Sequence, residues 1–266
     1  LIGSSAAGLS PSHTGFRNPD VFGKLIMLSP YFVKAWLDET GKPNLCEETL
    51  YRPYPGKRPL KLWLDIGDAE GLFLPRHVRQ VVDELTAEGY RCGEDVGYLV
   101  KPEAAHQEKD WGERAHLPLL FMFGRRPERI AALELHGRDR VGLNERRLRI
   151  NAIARYDNGL ELSLLDAEYA VADPDVLEVE RDGTIVPKKP GATTVTLKAD
   201  GLHTAREYRV EAELSEFVQV AMIAEIPPEP SPPESIYGGM GMKLVRGANG
   251  RYAGSFLVPR GTGYRF

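Results

Sequence analysis

A serine, a group of carboxylates and a histidine follow one another along this 266-residue chain in an order that suits acyl transfer. Leu1-Ile2-Gly3-Ser4-Ser5-Ala6-Ala7-Gly8 reads as the end of a buried strand, a tight turn of small residues and the start of a helix, with Ser5 at the apex. A serine hydroxyl is a poor nucleophile until a base takes its proton, and the base is usually a histidine held in one tautomer by a carboxylate. The carboxylates come next, in Asp65-Ile66-Gly67-Asp68-Ala69-Glu70-Gly71, and the histidine last, in Pro102-Glu103-Ala104-Ala105-His106-Gln107-Glu108. Each segment alone is weak evidence. Their conjunction, nucleophile then acid then base, is specific.

The elements that must position these residues are legible around them. Short apolar runs at 24–29, 60–66 and 95–100 read as strands, and apolar residues recur at helical spacing over 75–88 (Val78, Val81, Val82, Leu85) and 110–123 (Ala115, Leu119, Leu120, Phe123). Strands alternating with helices predict right-handed crossovers and a parallel sheet. Ser5, the acidic loop and the His106 loop each follow a strand, so all three are expected at the C-terminal end of that sheet, where open parallel sheets place their sites. Asp65, Asp68 and Glu70 are all candidates for the acid. Gly3, Ala7 and Gly8 are small enough for strand and helix backbones to approach at the elbow. The backbone amide of Ala6 is the candidate oxyanion donor. His13, close to the elbow, reads as a solvent-facing helix residue. Pro11 falls in the helix after the elbow, where an interior proline removes a hydrogen bond and kinks the axis at about 3 kcal/mol.

Beyond Gly124-Arg125-Arg126-Pro127, which reads as a linker, the texture changes. From 130 to about 212, short period-two strands are separated by the turn clusters Tyr156-Asp157-Asn158-Gly159, Asp173-Pro174-Asp175, Arg181-Asp182-Gly183 and Pro190-Gly191, the pattern of a small antiparallel sandwich. A third piece begins at Phe217. It carries a polyproline stretch over 226–233 and strand-like runs at 235–237, 243–245 and 255–258. The fold class is therefore α/β plus all-β, in three pieces: 1–124, 125–213 and 214–266.

A net charge of −4 gives no basic field for nucleic acid or anionic membrane. No apolar run approaches the roughly 20 residues of a membrane span. The two cysteines, Cys46 and Cys92, form no disulfide framework and lack C-x-x-C spacing, and both are expected as unpaired thiols. With no Gly-rich phosphate loop and no His/Cys/Asp ligand spacing, neither an organic cofactor nor a metal is expected.

Residues 1 to about 124 resemble the α/β-hydrolase family that includes esterase D, feruloyl esterases and enterobactin esterase. The motifs that carry the resemblance are Gly3-Ser4-Ser5-Ala6-Ala7-Gly8-Leu9, Pro19-Asp20-Val21-Phe22-Gly23, Leu28-Ser29-Pro30, Asp65-Ile66-Gly67-Asp68-Ala69-Glu70, and His106-Gln107-Glu108-Lys109-Asp110-Trp111-Gly112-Glu113-Arg114. The resemblance implies a serine carboxylic-ester hydrolase with Ser5 as nucleophile, Glu70 as acid and His106 as base. Asp68 and Asp65 become weaker acid candidates, Asp65 as a strand-end cap, and Trp111 and Arg114 dock the last helix. Ala7 departs from the family by replacing the second glycine of G-x-S-x-G. The second oxyanion donor of such enzymes comes from a loop that would precede residue 1. The chain is thus expected to be a piece of a longer protein carrying the C-terminal half of the hydrolase domain, cut at its far end too (Tyr264-Arg265-Phe266). It is expected to be a poor catalyst, since one lost donor costs about 10²–10³ in rate.

Residues 130–212 resemble a group 2 bacterial immunoglobulin-like domain through Ala154-Arg155-Tyr156-Asp157-Asn158-Gly159, the run from Tyr169 to Val176 and the run from Asp182 to Val195. That resemblance implies a spacer or adhesive role and an exported, periplasmic or cell-surface setting. The last piece resembles the start of a glycan-binding β-sandwich, with Tyr237 and Tyr252 as candidate sugar-stacking residues. The expected partners are a small-molecule or glycan-linked ester and a carbohydrate or cell-surface contact. The rival expectation is a non-catalytic envelope binding module with a degenerate hydrolase remnant.

Overall fold

The structure, a computed structural model, describes residues 1–32, 56–70, 74–144, 148–212, 217–220, 242–246 and 252–253. Cys46, Trp36, Tyr51, Tyr54, Tyr237, the polyproline stretch and the expected strands at 235–237 and 255–258 lie outside the described residues, as does the side chain of Tyr252.

The N-terminal piece is built on four parallel strands, β1 (Ile2–Ser4), β2 (Lys24–Leu28), β3 (Lys61–Gly67) and β4 (Val96–Lys101), in the order β1-β2-β3-β4. Helices α1 (Leu9–Arg17), α2 (Leu74–Ala87), α3 (Glu108–Arg114) and α4 (His116–Phe123) complete it. Strands buried on both faces read as continuous apolar runs, as β2 and β3 do. Side chains alternate between the faces. Leu25, Met27, Leu62 and Leu64 pack with Phe16 of α1 and with Leu74, Val78, Val81, Val82 and Leu85 of α2. Ile26, Leu28, Trp63 and Leu99 pack with Leu117, Phe121 and Met122 of α4.

Three expectations change. β1 pairs with β2 from Ile2↔Ile26 to Ser4↔Leu28 and is the outermost strand of the sheet among the described residues, with Ile2 61% exposed rather than buried. Pro11 is the third residue of α1, in the first turn, where a missing N–H breaks no ladder. The helix read over 110–123 is two helices, because Pro118 cannot donate to the carbonyl of Arg114 and its ring crowds that group.

The remaining elements are strands: β5 (Ile130–His136), β6 (Arg140–Gly142), β7 (Asn151–Tyr156), β8 (Glu161–Ser163), β9 (Glu168–Val171), β10 (Leu177–Val179), β11 (Ile185–Pro187), β12 (Gly191–Ala199), β13 (Leu202–Glu211), β14 (Phe217–Val220), β15 (Met242–Arg246) and β16 (Tyr252–Ala253). One sheet has the order β5-β7-β8, another β6-β13-β12-β9, with β6 parallel to β13 and the rest antiparallel. Leu133, Ala152 and Ala154 of the first sheet meet Leu197 of the second in a common core. Asp157-Asn158-Gly159 closes the β7–β8 hairpin with Gly159 at φ 86°, as its composition predicts. Lys189-Pro190 bends the chain between β11 and β12, as the Pro190-Gly191 cluster predicts, and Gly191 opens β12. A further turn, not among the predicted clusters, lies at Asp200-Gly201, both at positive φ, between β12 and β13.

This β-rich piece is packed against the parallel sheet. Ile153, Leu160 and Leu162 join the cluster of Ile26, Trp63 and Leu99. Side chains then cover the free edge of β4. Asn151 Nδ2–H donates to the carbonyl of Val100 at 2.8 Å, the Val100 N–H donates to Ser163 Oγ at 2.9 Å, and Ser163 Oγ–H closes the ring on Asn151 Oδ1 at 2.8 Å. Lys101 pairs with Glu161 at 2.9 Å. The outward backbone groups of Val100 are thereby satisfied without a further strand. Among the described residues no helix is long and apolar enough to cross a membrane.

Leu162→Ala tests this junction. Leu162 is 3% exposed, so truncation is expected to cost about 2–4 kcal/mol. Trp36, Trp63 and Trp111 all precede residue 124, so urea melts read by tryptophan emission report on the parallel-sheet piece. The midpoint is expected to fall; an unchanged midpoint would show that the two pieces are energetically separate.

Candidate active site

β1 delivers Ser5 at its C-terminal end. Ser5 sits at φ 54°, a left-handed conformation uncommon for a residue with a Cβ, and heads a short 3₁₀ turn, Ser5–Gly8, that runs into α1. The turn is possible because its neighbours are small. A Cβ on Gly3 would meet the Ala7 carbonyl oxygen at 2.3 Å, and one on Gly8 would meet Pro30 Cα at 3.0 Å. The extra methyl of Ala7 is exposed and is accommodated.

Ser5 Oγ lies 2.7 Å from His106 Nε2, and His106 Nδ1 lies 2.6 Å from Glu70 Oε2. Glu70 is fully buried and His106 partly so. The tautomer follows from the partners. Glu70 Oε1 already accepts from the Gly67 N–H at 2.7 Å and from Ser29 Oγ–H at 2.5 Å, so the carboxylate also accepts from His106 Nδ1–H. Nε2 is then bare and accepts the Ser5 proton. Trp111 packs on the imidazole in a T-shaped arrangement, with ring centroids 5.1 Å apart.

The acidic loop and the histidine loop are locked to each other by backbone. The Asp68 N–H donates to Lys101 O at 3.0 Å and the Ala69 N–H to Ala104 O at 3.1 Å. Gly67 allows this approach, since a Cβ there would meet the Ala104 carbonyl oxygen at 2.0 Å. Of the three candidate acids, the structure brings only Glu70 to His106. Asp68 accepts from the Glu103 N–H at 2.6 Å and pins the far side of the histidine loop. Asp65 is fully buried at the end of β3, where it accepts from Trp63 Nε1–H at 2.8 Å, from Arg114 Nε–H at 3.0 Å and from the Ser29 N–H at 3.2 Å. Burial pushes the Asp65 carboxyl above its ordinary range, and the Arg114 charge and these donors pull it back. Ala6 is exposed immediately after Ser5, among the first N–H groups of a helical turn. His13 is exposed on α1. Among the described residues no group of three or more His, Cys, Asp or Glu side chains could hold a metal, and Cys92 is a free, exposed thiol.

No family model and no curated protein matches the chain. Among solved structures, domains 1–6 of the surface layer protein SbsC align over 35% of this chain and 16% of that one, at 20% identity and a TM-score of 0.27. The S-layer protein rSbsC(31-844) aligns over 37% of this chain and 16% of that one, at 19% identity and a TM-score of 0.27. This chain thus spans about 16% of the length of either protein, and a likeness at this level assigns no fold or role.

One participant escaped the reading of residue types. Ser29, at the end of β2, is 1% exposed and bonded to Glu70. As a lone serine before a proline it looks like an ordinary strand end. The available signal was positional: it ends the strand between those that carry Ser5 and the acidic loop.

Two glycines separate loop docking from general helix stability. Gly67→Ala forces a Cβ onto the Ala104 carbonyl and is expected to destabilise by about 1–3 kcal/mol. Gly112→Ala places a methyl in open space within α3 and is expected to stabilise by roughly 0.5–1 kcal/mol. Thermal unfolding of the two variants reads both signs; a tolerated Gly67→Ala would mean that the two loops do not hold this approach.

Proposed function

We propose that this chain carries the acyl-transfer site of a serine carboxylic-ester hydrolase with an α/β-hydrolase arrangement. The observation that supports this reading is the unbroken contact Ser5 Oγ–His106 Nε2–Glu70 Oε2, at 2.7 and 2.6 Å, assembled from three loops at one end of a parallel sheet. Ser5 Oγ attacks the ester carbonyl carbon while its proton passes to His106 Nε2. Glu70 holds the imidazole in the required tautomer and stabilises the imidazolium. The Ala6 amide donates to the oxyanion of the tetrahedral intermediate. Collapse breaks the C–O bond to the alcohol, which leaves with the proton from Nε2. Water, deprotonated by the same nitrogen, then cleaves the acyl-Ser5 ester. The proposed substrate is a small-molecule or glycan-linked ester, the proposed setting is outside the cytoplasm, and the β-rich pieces make the carbohydrate or cell-surface contacts.

Labelling with a fluorophosphonate tests the reading. Serine attack on phosphorus expels fluoride and needs the same base. Label is expected on Ser5, lost in Ser5→Ala and retained in Ser4→Ala. His106→Ala is expected to slow labelling by roughly 10³-fold or more. A folded protein whose Ser5 takes no label would overturn the enzyme reading and favour a binding module.

A further inference from the structure

Behind Glu70, away from Ser5, lies a polar cluster that the acyl-transfer chemistry does not itself use. Its centre is the Ser29 hydroxyl. Ser29 Oγ lies 2.5 Å from Glu70 Oε1, 2.8 Å from Trp111 Nε1 and 2.7 Å from Arg114 Nη2. An indole N–H and a guanidinium N–H can only donate, and a hydroxyl has one proton and two lone pairs. With both lone pairs taken by Trp111 and Arg114, the proton of Ser29 has a single destination, the Glu70 carboxylate. The guanidinium also polarises that hydroxyl, which makes it a stronger donor.

We infer that Ser29 is a positioning residue for Glu70: a hydroxyl aimed by Arg114 and Trp111 that fixes the carboxylate in the plane where Oε2 meets His106. The inference rests on the acyl-transfer reading of this site. Three features converge on it. Ser29 is held at φ 43°, a conformation unfavourable for a residue with a Cβ, and its N–H is fixed by both the backbone carbonyl and the carboxylate of Asp65, at 2.9 and 3.2 Å. Glu70 Oε1 has one further donor, the Gly67 N–H, so without Ser29 a single bond would hold that oxygen and the carboxyl group could turn. Arg114 is itself oriented by the Asp65 carboxylate and by the Asp110 carbonyl at 3.1 Å. Its guanidinium approaches Glu70 Oε1 no closer than 3.6 Å, so its close bond reaches Glu70 through Ser29. Trp111 links the two roles, with its Nε1–H on Ser29 and its ring against His106.

The test is a double-mutant cycle on the rate of Ser5 phosphonylation by a fluorophosphonate, measured in the whole chain for the parent, Ser29→Ala, Glu70→Gln and the double variant, with circular dichroism as the check on folding. Misplacing a catalytic group by about 1 Å costs up to about 10²-fold. Ser29→Ala is therefore expected to slow labelling by roughly 10- to 100-fold with the probe's saturation constant unchanged. In the Glu70→Gln background the same substitution is expected to cost less than about twofold, because residues acting as a unit are non-additive. Equal losses in both backgrounds, or Ser29→Ala within about twofold of the parent, would overturn the inference while leaving the nucleophile assignment intact. Absence of label on Ser5 in the parent would overturn both. Should Ser29→Ala not fold, Trp111→Phe removes one of the two aiming donors and keeps a ring against His106; a loss of about threefold or more, again absent with Glu70→Gln, is expected on the same reasoning.

Discussion

Two carboxylates and one guanidinium are buried together at the C-terminal end of the parallel sheet, and the candidate site depends on how that charge is distributed. Asp65, Glu70 and Arg114 are each at most 1% exposed. Arg114 contacts Asp65 directly at 3.0 Å and Glu70 only at 3.6 Å. The guanidinium is thus within ion-pairing reach of both carboxylates, and with two carboxylates to one guanidinium the group keeps a net negative charge beside His106. An isolated carboxylate in such a place is costly unless donors surround it. The Gly67 amide, the Ser29 hydroxyl and the imidazole do so for Glu70, and Trp63, Arg114 and the Ser29 amide do so for Asp65. On the acyl-transfer reading, that residual charge is what an imidazolium needs beside it.

Around that charge, the loops are brought together by close backbone approach. Gly3 and Gly8 let the Ser5 turn fold back on β1 and against Pro30, and Gly67 lets the acidic loop lie on the carbonyl of Ala104, two residues before His106. Ser5 and Ser29 both take left-handed backbone at strand ends. Unfavourable conformations persist where the surroundings over-determine them. Here the Tyr31 N–H bonds to the Ser5 carbonyl at 3.0 Å and the Asp65 strand holds Ser29, so β1, β2 and β3 fix each other's ends. The β-rich piece supports the same region from the other side: it holds Val100 and Lys101 of β4, from which the chain runs on to His106.

Much of this was legible in the sequence. Strands buried on both faces announce themselves as apolar runs, and the order of Ser5, the acidic loop and His106 along alternating strands and helices was enough to place them at one end of a sheet. The choice among Asp65, Asp68 and Glu70 was not legible from residue type, since three carboxylates within six residues differ only in where the loop turns them. Ser29 and Arg114 were illegible as site residues for a related reason: their role lies in hydrogen-bond partners brought together from distant parts of the chain. The break at Ala115 needed Pro118 to be weighed against helical periodicity. The exposure of β1 and the entry of Leu162 into the cluster that holds Trp63 are tertiary facts that local pattern does not encode.

The site depends most on Glu70 holding His106 in one tautomer, with Nδ1 protonated and Nε2 bare toward Ser5. Nitrogen-15 NMR of the histidine side chains in solution, with His106 assigned by its loss in His106→Gln, measures this directly. The expected result is a protonated Nδ1 and an unprotonated Nε2 in the neutral ring, together with a strongly downfield Nδ1 proton that disappears in Glu70→Gln. A His106 ring with its proton on Nε2, or averaged between the two nitrogens as in a free imidazole, would contradict it.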